Sequence, residues 1–183
     1  MGNFYANYTV RTETPQGVAS VLAGRDAIVT PAQNGCVVVY DEESESQSIG
    51  IIAEVGRLLS EKLRCVVLAV MNHDDDILYY QLFENGQLAD EYNSDPEYFE
   101  PEAELGAQGG DASELCEAFD TDDVLGVERV LRKSSLDEDG FAFAVERHAE
   151  LVRLLGLPEY SVGFGYAYIS RGELPDGLTE SMF

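Results

Sequence analysis

At 183 residues, 45% of them hydrophobic and with no low-complexity linker, the chain is long enough to bury one core and offers no place to divide, so a single domain over residues 1–183 is expected. Against 35 Asp and Glu there are only 11 Lys and Arg, and the net charge of −24 argues against direct nucleic-acid binding, whose dominant electrostatic contribution would have the wrong sign. No apolar stretch approaches the roughly 20 residues that cross a bilayer, and residues 1–10 carry neither a basic n-region nor an apolar h-region, so a soluble, cytoplasmic protein with no membrane contact is expected.

Residues 4–10 alternate, with Phe4, Ala6, Tyr8 and Val10 on one side and Tyr5, Asn7 and Thr9 on the other, the pattern of a strand. Thr14 and Pro15 form an N-cap and N1 pair, Val18, Val21 and Leu22 give a helical stripe, and Gly24 supplies the terminator. Residues 27–30 and 36–40 are then the two strands of a hairpin around the Pro31 to Gly35 loop. An amphipathic helix follows over about residues 48–63, with Ile52, Val55, Leu59 and Leu63 at three-to-four spacing.

Residues 65–71 are apolar at every position, so both faces of that strand need cover and it should be central. Asn72 to Asp76 forms a turn, residues 77–83 and 87–92 are two more strands, and Asn85-Gly86 between them is a type I′ hairpin signal. The order strand, helix, strand, strand, helix, strand is that of a ferredoxin-like split βαβ core, which the meander would extend. The fold class is therefore α+β, an antiparallel-rich sheet with helices mainly on one face.

Residues 94–110 hold Pro96, Pro101 and Gly106 among acids and show no period, so they form an acidic surface loop in which Tyr98 and Phe99 either pin the loop or face a partner. Ser113 and Thr121 are candidate caps for helices over residues 114–119 and 122–133, and residues 141–155 form the last helix, with His148 on its apolar stripe. Residues 162–169 alternate bulky and small side chains and suggest one more strand, and residues 171–183 are a tail, docked or mobile.

Residues 135–146 place Asp137, Asp139, Gly140 and Glu146 at positions 3, 5, 6 and 12 of a calcium loop. Ser135 stands where the motif needs a carboxylate and no second loop exists, so no metal or other cofactor is expected and Asp139 is read as a helix cap. His73 with Asp74, Asp75 and Asp76 has ligand chemistry but is more simply a polar turn. Cys36, Cys65 and Cys116 are odd in number and lack metal spacing, which suits reduced core thiols.

Charge is distributed unevenly: residues 65–128 contain 18 acids and no Lys or Arg. The leading expectation is a non-enzymatic acidic binding or regulatory module, of inhibitor, immunity or nucleic-acid-mimic type, for a basic protein partner. Its contact residues are expected to be Asp95, Glu97, Glu100, Glu102, Glu104 and Tyr98. The alternative is a carboxylate- or metal-dependent enzyme whose site is assembled from separated residues.

Overall fold

A computed structural model describes residues 2–103, 105–134, 137–138 and 140–183. Seven strands form one antiparallel sheet in the order β2-β3-β1-β4-β5-β6-β7: β1 (Tyr5–Val10), β2 (Ala27–Val29), β3 (Val37–Asp41), β4 (Val66–His73), β5 (Ile77–Glu84), β6 (Gln87–Asn93) and β7 (Gln108–Gly109). The first four stand as β2-β3-β1-β4, so β3 separates β1 from β2 and the split βαβ arrangement is present. β4 lies at the centre, with Val67, Ala69 and Met71 buried on one face and Leu68 and Val70 on the other. The Asn85-Gly86 turn has both residues at positive φ, 49° and 81°, as the type I′ signal requires.

The helices, expected mainly on one face, instead cover both. α1 (Pro15–Val21) and α2 (Ile49–Leu63) pack against Tyr8, Met71 and Phe83. Against Leu68, Tyr80 and Tyr92 on the opposite face pack α3 (Ala112–Ala118), α4 (Val124–Arg132) and α5 (Ala144–Leu155). The cause lies in β4 itself, since a strand apolar on both faces leaves hydrophobic area in water unless each face is covered. α2 approaches its face closely because Gly56 has no Cβ; one placed there would lie 2.7 Å from the Phe83 ring.

Residues 162–169 form no strand. Gly163 turns the chain at φ +80°, a short helix α6 (Tyr166–Ile169) follows, and Ile169 lies in a third cluster with Val38 and Tyr40. The expected close approach at the glycines is present in another form, because a Cβ on Gly165 would lie 2.9 Å from that of Tyr5. Two caps also differ from expectation: Asp111, not Ser113, caps α3 by accepting from the N–H groups of Ser113 and Glu114, and Asp123, not Thr121, caps α4 by accepting from the N–H of Gly126. In the C-terminal segment Pro175 and Leu178 are buried while residues 179–183 are exposed. Among the described residues no helix is long and apolar enough to cross a membrane.

Candidate functional site

The β4–β5 turn connects three parts of the fold. Asp74 and Asp75 both adopt positive φ, which Asp tolerates better than most residues. The buried Asp75 carboxylate accepts from the Asn3 backbone N–H at 3.0 Å, the Asn3 amide at 2.8 Å and the Asn72 amide at 3.2 Å, and its carbonyl accepts from Ala144 N–H at the start of α5 at 2.7 Å. Asp74 accepts from Gly2 N–H, and Asp76 is exposed. Gln47 donates its amide to the carbonyl of Asn72 at 2.8 Å, so its oxygen faces His73 and accepts from His73 Nδ1 at 2.6 Å. The His73 ring packs at 5.1–5.6 Å from Phe4, Tyr98 and Phe99. These contacts make His73 and its acids a structural turn with an aromatic wedge, and among the described residues no three His, Cys, Asp or Glu side chains converge to hold a metal ion.

That wedge pins one end of the acidic loop. The other end is held by β7, which pairs with β6, and by Arg132, which donates to the carbonyls of Gly109 and Gly110 at 2.7 and 2.6 Å. In the wedge Tyr98 and Phe99 keep 47% of their surface exposed, and between the two anchors Leu105 is 85% exposed. Asp95 and Glu97 are half-buried, Glu100 and Glu102 are exposed, and none of these four carboxylates has a hydrogen bond or ion pair among the described residues. Glu104 lies outside the described residues. Ion pairs form elsewhere: Arg11 reaches Asp120, and Arg132 reaches Glu128, so two cations from outside residues 65–128 neutralise two of its acids.

Beneath the loop a cavity of about 700 Å³ opens between the β4–β5 turn and the segment joining α4 to α5. Asp76, Asp95, Glu97 and Tyr98 line one side; Arg132, Lys133, Arg147 and Phe141 line the other, with Leu105 and Phe143 also in the lining. Arg147 is 6% exposed and donates to the carbonyls of Val130, Leu131 and Lys133, closing the C-terminal end of α4 where a cation opposes the helix dipole. Burial lowers its pKa, and its guanidinium lies 5.0 Å from the Phe141 ring centre. Sequence reasoning missed Arg147, although its position in the stripe Ala144, Arg147, Leu151, Leu155 marks it as inward-facing.

Two of the residues matched to a calcium loop, Asp137 and Glu146, bond to backbone N–H groups. Glu146 reaches back to accept from the backbone N–H groups of Ala142 and Phe143 at 3.0 and 3.1 Å, and Asp137 accepts from Ser134 N–H. Ser135 and Asp139 lie outside the described residues, and so does the expected Asp139 cap. His148 is sealed against Tyr5, whose hydroxyl is 2.7 Å from His148 Nδ1, and burial lowers the imidazole pKa to about 3. Of the residues expected to meet a partner, Asp95, Glu97 and Tyr98 converge on the cavity, while Glu100 and Glu102 are not part of its lining. A comparison of the chain with protein-family models, curated proteins and solved structures finds no match.

Proposed function

We propose that this protein is a non-enzymatic acidic binding module that meets a basic protein partner through the loop of residues 94–107 and the rim of the cavity below it. The observation that carries this reading is the concentration, on one loop, of four carboxylates without a cation among the described residues, an exposed leucine, Leu105, and two aromatic rings, Tyr98 and Phe99, that pack on His73 with about half of their surface still open to water. Exposed aromatics with a polar surround are the usual composition of a binding patch, and the acids give it long-range attraction for positive charge. Three free thiols, Cys36, Cys65 and Cys116, fit a reducing, cytoplasmic setting.

The test begins with capture of partners from source-cell extract at low salt, on the protein and on a variant with Asp95→Asn, Glu97→Gln, Glu100→Gln and Glu102→Gln. Association rates are then measured for each purified partner. Surface charges screened over about 8 Å act mainly on encounter, so the variant should associate several-fold more slowly, and the difference should shrink in high salt. Its melting temperature should stay within about 3 °C of the parent, as surface substitutions away from special features usually allow. A partner whose association rate is indifferent to both the substitutions and the salt contradicts the reading.

A further inference from the structure

We infer that the cavity beneath the acidic loop receives an arginine side chain of the basic partner, an inference that rests on the binding-module reading and names its anchor. At about 700 Å³ the cavity has ample room for one such side chain. Its charges are not equivalent. Arg132, Lys133 and Arg147 line it, but the two guanidinium groups already donate to backbone carbonyls, of Gly109 and Gly110 for Arg132 and of Val130, Leu131 and Lys133 for Arg147, and the Lys133 ammonium lies 5.3 Å from the Phe141 ring centre. Asp76, Asp95 and Glu97 have no such partners among the described residues. A cationic guest complements these three acids, whereas an anionic one meets their repulsion.

The apolar lining selects which cation. Tyr98, Leu105 and Phe143, 47%, 85% and 54% exposed, offer surface to an aliphatic stem and a flat charged group. A guanidinium stacks on aromatic faces, is weakly hydrated and bonds a carboxylate through two parallel N–H groups, while a lysine ammonium is a strongly hydrated point charge. Arginine therefore fits both the walls and the acids.

The probe is a blocked pentapeptide with one central arginine between serines, titrated by NMR at low salt beside the same peptide carrying citrulline, which keeps the shape and lacks the charge. Saturable binding is expected, with shifts at Asp95, Glu97, Tyr98 and Phe143, and citrulline should bind about tenfold more weakly or worse. The pair Asp95→Asn and Glu97→Gln should weaken arginine binding by a similar factor, and so should Ala142→Trp, which narrows the cavity without changing charge. The same charge change on the α1 and α2 side, Glu13→Gln with Glu54→Gln, should alter it less than about twofold. If Ala142→Trp does not fold, the charge pair and the citrulline peptide decide. Absence of saturable binding, equal binding of citrulline, or equal weakening by the remote pair overturns the anchor. Those outcomes leave the acidic module standing if its partner still associates more slowly with the four-acid variant; a partner indifferent to that variant removes the module itself.

Discussion

Tyr5 and His148 meet between β1 and α5, where burial holds the imidazole neutral and raises the phenol well above its ordinary pKa. A histidine at about 3 in the folded protein and about 6.5 unfolded binds its proton more readily in the unfolded chain, so its contribution is lost as pH falls below about 6.5. Between about pH 7 and pH 4.5 that loss is about 2.5 kcal/mol. Urea unfolding of the parent and of His148→Phe at both pH values isolates it from the carboxylates, which titrate in both proteins; the parent should lose about 2.5 kcal/mol more than the variant. Equal pH dependence would show that His148 is not buried neutral. The apolar stripe alone pointed to a core histidine, but its partner Tyr5, 143 positions away, was not legible, because spacing within one helix carries no information about the strand across from it. Asp75 shows the same limit: its turn was readable locally, and its bonds to Asn3 and Ala144 were not.

Strands and hairpins were legible because period-two alternation, continuous apolar runs and Asn-Gly turns are local signals, and all six strands from β1 to β6 fall where those signals place them. The alternation at residues 162–169 misled because pattern describes side chains, while Gly163 and Gly165 set a backbone course that the side chains do not report. Helix starts were misplaced where several Asp, Ser and Thr competed for one cap. At α5 the start is fixed by Glu146, which binds the backbone N–H groups of Ala142 and Phe143 and so is already committed when calcium is added. Glu146→Ala should cost about 1 kcal/mol in urea unfolding, with and without calcium. Titration calorimetry giving micromolar calcium affinity for the parent would contradict this assignment.

For the whole molecule, the sheet separates a face covered by α1 and α2 from one covered by α3, α4 and α5, and the loop with its cavity belongs to the second. The uneven charge was readable from sequence, but the surface it forms was not, since Leu105 and Phe143 reach the cavity from two separate connections and Arg147 from α5. Fold topology also moved Arg11 and Arg132 onto two of the acids and left Asp95, Glu97, Glu100 and Glu102 without a cation among the described residues. The most direct measurement is an NMR map of the protein on addition of the partner recovered by capture. Shifts concentrated at residues 94–107 and at Phe143, weakened by raised salt, are the predicted result; shifts concentrated on α1 and α2, with residues 94–107 unchanged, would contradict the account.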